Sequence, residues 1–318
     1  FDVSHMGEFM VKGPDAEKLI QWISTNDASA LEDGKVQYSC MPNDAGGIVD
    51  DMLVYRLTSD RFMLVVNASN REKDWNWIQE QVTLHAWDAT VRDESDRYAL
   101  LAVQGPNAQD MVRRLGPARA DGLPWSELAY YTFTLGKLMG HEVILSATGY
   151  TGSGGLEIYM PVEAAESVWD ALLAEGAVPC GLGARDTLRM EMGYCLYGND
   201  LNDNTSPISA GLGWITKFTK DFVAKPTLEH EKAQGPSTKL VGLVMDERGI
   251  PRQDYVVKNA DGAVVGKVTS GTMSPSLGHG IGMAYIDASH AQPGTSLLVE
   301  IRNKSLACHV VRFPFYKG

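Results

Sequence analysis

Val11-Lys12-Gly13-Pro14-Asp15-Ala16 and Val103-Gln104-Gly105-Pro106-Asn107-Ala108 are two versions of one pattern. In each, a β-type run ends at glycine and proline takes the first helical turn. Apolar residues then recur at helical spacing: Leu19, Ile20, Trp22 and Ile23 after the first copy, and Met111, Val112 and Leu115 after the second. The sequence therefore predicts a duplicated strand-to-helix unit.

Similar elements follow both copies. The first is followed by predicted strands near 36–41, 48–57 and 61–67, a helix near 69–82 and a strand near 86–92. The second is followed by predicted strands near 128–135, 142–148 and 155–161, a helix near 163–175 and a short strand near 177–180. This order is that of the split βαβ, ferredoxin-like arrangement, so we predict an α+β fold that contains this unit twice.

The last eighty or so residues have a different pattern. Short strands at regular spacing are predicted at Leu240–Met245, Tyr255–Lys258, Val264–Thr269, Gly282–Ile286, Leu297–Ile301 and Cys308–Phe313. Asn259-Ala260-Asp261-Gly262 is typical of a hairpin turn. We predict three domains: a ferredoxin-like domain at 10–93, a second one formed by 1–9 and 94–205, and a β-barrel at 206–318.

Composition excludes several classes of protein. The 318 residues carry a formal net charge of -12, which argues against binding to nucleic acid or to anionic membranes. No apolar run is long enough to span a bilayer. The four cysteines form no C-x-x-C pair and no cluster with histidine, so we expect no metal and a reducing compartment. The chain begins at Phe1 rather than at methionine, and we expect it to start inside a larger gene product.

Asp50 and Asp51 follow a glycine turn, in the run Gly46-Gly47-Ile48-Val49-Asp50-Asp51. Alternation along a strand predicts that their side chains point to opposite faces. If Asp51 lies in a pocket, desolvation raises its pKa and prepares it for proton transfer. The pattern alone favours the other interpretation, in which both aspartates occupy a solvated hairpin end.

Two further segments suggest ligand binding. In the glycine-rich segment 148–157, Tyr150 is suited to stack on a flat ligand, and the Glu157 carboxylate to accept two parallel hydrogen bonds. A plain hairpin with an exposed glutamate explains the same pattern equally well. Arg185 lies near a predicted helix start, where a cation is unusual, which suggests a grip on a ligand carboxylate. An ion pair with Asp186 or Glu191 is the simpler interpretation.

Together these segments resemble the aminomethyltransferase (T-protein) family of the glycine cleavage system. The resemblance covers essentially the whole chain. Its motifs, in order, are Phe1-Asp2-Val3-Ser4-His5-Met6, Gly46-Gly47-Ile48-Val49-Asp50-Asp51, Val66-Asn67-Ala68, Gly149-Tyr150-Thr151-Gly152 with Glu157, Gly183-Ala184-Arg185-Asp186-Thr187-Leu188-Arg189, Leu196-Tyr197-Gly198-Asn199-Asp200 and Thr269-Ser270-Gly271.

The resemblance implies a ring of three domains around a folate channel. It also implies a reaction in which tetrahydrofolate, a co-substrate, takes the methylene carbon from the aminomethyl-dihydrolipoyl arm of lipoylated H-protein. The products are 5,10-methylenetetrahydrofolate, ammonia and dihydrolipoyl H-protein. By position, Asp51 matches the family's essential aspartate. The implied folate-binding residues are Met6, Tyr38, Leu53, Asn67, Tyr150, Glu157 and Arg185.

Two related functions share this implied pocket: a folate-dependent demethylase of a small methyl donor, and a non-catalytic folate-binding protein. The Lys-Gly-Cys-Tyr-type motif of the non-catalytic subgroup is absent from the sequence. The resemblance places the protein in the cytoplasm of a bacterium or in the mitochondrial matrix of a eukaryote. Family members carry several tens of residues ahead of the Phe1–Met6 motif and a longer tail that approaches the folate. The expected activity depends on these segments, whereas the expected fold does not.

Overall fold

The computed structural model describes residues 1–122 and 127–317. They form two compact units. The first unit comprises Phe1–Met41, Val49–Leu182 and Thr219–Val223. The second comprises 42–48, 183–218 and the chain from Ala224 onward.

The first unit contains two five-stranded sheets. The elements of the first sheet are β1 Gly7–Lys12, α1 Ala16–Ile23, β2 Val36–Pro42, β3 Ile48–Thr58, β4 Arg61–Val66, α2 Arg71–His85 and β5 Thr90–Asp93. Its strand order is β2-β3-β4-β1-β5, and β1 pairs antiparallel with both β4 and β5. Within this order, β3-β4-β1-β5 is the ferredoxin-like sheet, and β2 adds one edge strand.

The second sheet repeats this plan. Its elements are β6 Tyr98–Gln104, α3 Ala108–Arg114, β7 Ala118–Arg119, β8 Phe133–Leu138, β9 His141–Ser146, β10 Gly155–Pro161 and α4 Ala165–Ala174. Its strand order is β6-β10-β9-β8-β7. The first four of these strands correspond to β1-β4-β3-β2 of the first sheet, and the short strand β7 is added at the edge. The predicted duplication is therefore confirmed.

The repeated glycine explains why both strands turn into helices at the same point. Gly13 has φ 141° and Gly105 has φ 117°, conformations that side-chain-bearing residues avoid. At Gly13 a Cβ would also meet the Asp88 carbonyl oxygen at 2.3 Å. Pro14 and Pro106 lie in the turns just before α1 and α3, rather than in the first helical turn as predicted.

Three apolar cores hold the first unit together. One lies between the first sheet and its helices and includes Leu19, Ile20 and Ile78, and a second is its counterpart in the second sheet. Burying each such aliphatic side chain contributes about 1.5–3 kcal/mol. The third, the interlayer core, joins the two sheets. It consists of Val3, Met10, Val36, Tyr55, Met63, Val65, Leu100, Ala102, Phe133, Ile144 and Tyr159.

The second unit contains a closed six-stranded barrel, ordered β11-β14-β13-β12-β15-β16. Its elements are α5 Leu182–Glu191, which begins one residue before the unit, α6 Lys225–Gln234, β11 Thr238–Met245, β12 Val256–Lys258, β13 Val264–Met273, β14 Gly280–Asp287, β15 Ser296–Ile301 and β16 Lys304–Val311. Each predicted C-terminal strand has its counterpart, and Gly262, with φ 84°, turns the predicted hairpin. The α+β class and the barrel are confirmed.

Some predicted elements differ from the structure. Residues 177–180 form no strand, so the second sheet has no counterpart of β5. The strand predicted near 128–135 is β8, at Phe133–Leu138, and β5 begins only at Thr90. Across the described ranges, every helix is too short or too polar to cross a membrane.

Candidate active site

Strand β3 carries both aspartates that the sequence analysis singled out. Leu53 and Tyr55 face the interlayer core, whereas Met52 and Val54 pack on the helix side of the sheet. Alternation along the strand places Asp51 with Leu53 and Tyr55, on the face turned toward the second sheet.

Asp51 is held by two neighbours. Tyr38, on β2, donates a hydrogen bond from its phenol to Oδ2 at 2.8 Å. Asn67, which follows β4, donates from its amide nitrogen to Oδ1 at 3.0 Å. Burial and the charge of Asp50 nevertheless raise the pKa of Asp51 to about 7. A carboxyl group with this pKa exchanges protons readily at neutral pH.

Asp50 lies on the helix side and is completely buried. It accepts bonds from the backbone nitrogen of Asn67 at 2.8 Å and from the side-chain amides of Asn67 and Asn70 at 2.9 and 2.6 Å. The interpretation that the pattern alone favoured, in which both aspartates occupy a solvated hairpin end, is therefore wrong. Asn67 contacts both carboxylates through one side-chain amide group.

Two other predicted folate-binding residues flank Asp51. Leu53 lies two residues further along β3, on the same face. Met6 immediately precedes β1 and packs against the interlayer core. Tyr38 and Asn67 thus contact Asp51, and Leu53 and Met6 pack against the interlayer core, which the Asp51 face of β3 meets.

Glu157 occupies the facing surface of the second sheet. It lies on β10 two residues before Tyr159, which belongs to the interlayer core, and it is 6% exposed, so the interpretation as an exposed hairpin residue is wrong. Thr148 donates a 2.5 Å hydrogen bond to its Oε2. Tyr150 lies between these two residues in sequence, in the loop that joins β9 to β10.

A chain of buried hydroxyl groups extends from Glu157 to the first sheet. The Tyr55 hydroxyl lies 3.3 Å from that of Thr148, 3.1 Å from that of Ser146 and 2.9 Å from that of Tyr159. Burial and the nearby Glu157 charge raise the pKa of Tyr55, so this hydroxyl stays protonated and acts as a donor. These bonds connect Glu157 to the same strand that carries Asp51.

Arg185 belongs to the second unit, and the structure does not by itself assemble it with the other predicted residues. It is the fourth residue of α5, close to the predicted helix start. On the same helix, Arg189 forms an ion pair with Asp186 at 2.8 Å. Arg189 also pairs with the buried Asp200 at 2.7 Å.

Sequence reasoning missed Asn70, Asp74 and Thr148. The sequence does contain an indication of Asp74, because this residue shares the buried face of α2 with Ile78 and Gln81 at helical spacing. An acidic residue at such a position is rare unless it has a specific role. Across residues 1–122 and 127–317, no three His, Cys, Asp or Glu side chains are arranged to hold a metal ion.

The arrangement suits proton transfer to or from a flat, polar ligand. Asp51 supplies a titratable carboxyl group on one sheet. The Glu157 carboxylate, on the facing sheet, supplies acceptor oxygens of the kind that bind paired N–H groups of a heterocycle.

Comparison with known proteins agrees with this geometry. Residues 1–220 match the GCVT N-terminal domain, and residues 238–317 match the glycine cleavage T-protein C-terminal barrel domain. The chain is 50% identical to aminomethyltransferases of Phocaeicola vulgatus and Flavobacterium psychrophilum. The two alignments cover the whole of this chain, and they cover 88% and 87% of those proteins, respectively. The crystal structure of glycine cleavage system aminomethyltransferase T from Bartonella henselae superposes with a TM-score of 0.91 at 33% identity, covering 99% of this chain and 85% of that one.

Proposed function

Because the chain belongs to the glycine cleavage T-protein family, we propose that it transfers the methylene carbon of an aminomethyl group to tetrahydrofolate. Its enzyme class is that of the aminomethyltransferases. The donor in this proposal is the aminomethyl-dihydrolipoyl arm of H-protein. The products are 5,10-methylenetetrahydrofolate, ammonia and dihydrolipoyl H-protein.

The setting of the Asp51 carboxylate, held by Tyr38 and Asn67 beside the buried Asp50, carries the chemical part of the proposal, and it raises the pKa of Asp51 to about 7. Asp51 accepts the proton that the folate amine loses as its nitrogen bonds to the methylene carbon, while the bond from that carbon to the amino nitrogen breaks and ammonia leaves. The second folate nitrogen then displaces the dihydrolipoyl sulfur, which leaves as the thiol. General base catalysis of this kind is worth about 10²–10⁴ in rate. Asn67 and Tyr38 keep the carboxylate oriented, because each donates to a different oxygen.

We assign the binding of the pterin to residues on the two facing sheets. Glu157 binds the amino-pyrimidinone edge of the pterin, and Thr148 fixes the orientation of its carboxylate. Tyr150 and Leu53 cover the ring, and Met6 closes the apolar side. Arg185 is the remaining residue that we propose to bind folate. These assignments make the first sheet responsible for proton transfer and the second for recognition of the pterin.

The test is ammonia release from aminomethyl-loaded H-protein, with and without tetrahydrofolate. We expect release to depend on folate and 5,10-methylenetetrahydrofolate to form in equal amount. Release that is indifferent to folate would refute the proposal. Turnover of a free methyl donor in place of the loaded H-protein would instead support the demethylase function.

A further inference from the structure

Asp74 is an acidic residue in an apolar position. It lies in the first turns of α2, on the face that packs against the first sheet, and its exposed fraction is 0%. Neither of its carboxyl oxygens receives a hydrogen bond from any N–H or O–H group of the described residues. A buried carboxylate without a donor carries a large desolvation penalty, so this residue requires an explanation.

The neighbour of Asp74 is another carboxyl group. The side chains of Asp74 and Asp50 lie within hydrogen-bonding reach of each other. Two carboxylates have no proton to share, so the contact is favourable only when one of them is a carboxylic acid.

The surroundings decide which of the two carries the proton. Asp50 accepts three N–H bonds, from Asn67 and Asn70, and such bonds stabilise an anion. Asp74 accepts none, and burial together with the charges of Asp50 and Asp51 raises its pKa to about 11, against the opposing effect of Lys73. The acid is therefore Asp74, and the anion is Asp50.

Asp50 is also linked to Asp51, the carboxyl group whose pKa is raised to about 7. Asn67 donates from one amide nitrogen to Oδ1 of Asp50 at 2.9 Å and to Oδ1 of Asp51 at 3.0 Å. The negative charge of Asp50 acts directly on Asp51 and raises its pKa. Burial has the larger effect on this pKa, but anything that changes the charge of Asp50 also changes the pKa of Asp51.

We propose that Asp74 is a positioning residue, a neutral carboxylic acid that donates its proton to Asp50 and so keeps a permanent negative charge beneath Asp51. The role in turnover rests on the proposed function, whereas the protonation of Asp74 does not. Asp74 touches neither substrate in this proposal and acts only through Asp50 and Asn67.

The protonation state is measured without any assay of activity. Protein labelled with ¹³C at the aspartate carboxyl groups is compared with the same protein carrying Asp74→Asn, which identifies the Asp74 signal by its loss. At neutral pH we expect this signal at the chemical shift of a carboxylic acid, unchanged up to about pH 9. A carboxylate shift at neutral pH would overturn the proposal, whatever the enzyme catalyses.

The effect on Asp51 is measured by the pH dependence of kcat in two variants. Asp74→Asn keeps a neutral donor toward Asp50, so we expect the acidic limb of the profile to stay at the wild-type pH. Asp74→Leu removes the donor, so the pKa of Asp50 rises and Asp50 becomes partly protonated in the pH range in which Asp51 titrates. The average charge of Asp50 then raises the pKa of Asp51 less, and the acidic limb moves down by up to about one pH unit. Glu72→Gln, in the first turn of the same helix and exposed, is the matched control and should shift nothing.

Each other outcome contradicts the proposal. A shift in Asp74→Asn equal to that in Asp74→Leu would mean that Asp74 acts as a charge rather than as a donor. Wild-type profiles in both variants would mean that the pair does not influence Asp51. If Asp74→Leu does not fold, Asp74→Asn and the carboxyl signal still decide the question. Loss of folate-dependent turnover in the wild type would instead refute the proposed function and leave the carboxyl measurement intact.

Discussion

The phenol of Tyr38 donates a 2.8 Å hydrogen bond to Oδ2 of Asp51. This bond stabilises the carboxylate, and so lowers the pKa of Asp51 against the larger effect of burial. In Tyr38→Phe we expect the acidic limb of the pH profile of kcat to move up by about half to one pH unit. Tyr316→Phe, near the C-terminus, is the control. A shift toward lower pH would contradict the assignment of this bond.

Asp51→Asn removes the proposed proton acceptor and keeps the size of the side chain. We expect kcat for methylene transfer to fall about 10²-fold or more, while the dissociation constant of tetrahydrofolate changes little. Single-turnover transfer and equilibrium binding, measured on the same preparation, separate the two effects. Asp44→Asn, in the exposed turn before β3, should behave as the wild type. Turnover near the wild-type rate in Asp51→Asn would remove this residue from the mechanism.

Thr148→Val deletes the hydroxyl that donates to Glu157 at 2.5 Å. A hydrogen bond to a charged group contributes about 1.5–3 kcal/mol, so tetrahydrofolate binding should weaken roughly tenfold or more. Thr148→Ser keeps the hydroxyl and should bind normally. Equal affinity of the valine variant and the wild type would show that the orientation of Glu157 does not depend on Thr148.

The sequence predicted the large features of the fold because they depend on local patterns. The glycine and proline of the two turns, the six regular C-terminal strands and the alternation at Asp50 and Asp51 are all visible within short windows. The composition of the segment 177–180 predicts a strand, but pairing with another strand depends on distant residues. The Asp50–Asp74 contact joins a strand to a helix, and no local pattern specifies it.

Glu8 makes the stability of the fold depend on pH. It is buried on the face of β1 that also carries Met10, and its carboxyl oxygens receive no hydrogen bond from the described residues. Burial, opposed by Arg71 and reinforced by Asp93, raises its pKa to about 8. The folded protein therefore keeps this proton at pH values where the unfolded chain has lost it.

The corresponding test is Glu8→Gln. Stability from Glu8 is fully present below the ordinary glutamate pKa and is lost as the pH rises toward 8. We expect the variant to equal the wild type near pH 4 and to exceed it by about 1–3 kcal/mol near pH 8. The free energy of unfolding in urea is the measurement, and Glu32→Gln, an exposed site, is the control. A difference of the same size at both pH values would exclude titration of Glu8 as its cause.

Arg189→Met leaves Asp200 buried without its cation. The two side chains are 1% and 0% exposed, and they approach to 2.7 Å. Removing one partner of such a pair costs about 3–5 kcal/mol. Urea unfolding should show this loss, whereas Arg248→Met, at an exposed position, should change stability by less than about 0.5 kcal/mol. Equal stabilities of the two variants would contradict a structural role for the pair.

The duplication of the sheet has a consequence for the evolution of ligand specificity. In the proposed function each copy supplies one half of the chemistry, with Asp51 on the first and Glu157 on the second, and the Tyr55–Tyr159 bond joins the two sheets. Under this proposal, a substitution in the second copy is able to change ligand preference while the proposed proton acceptor on the first copy stays unchanged. Two descendants of one ancestor are thus able to diverge in what they bind before they diverge in how they react.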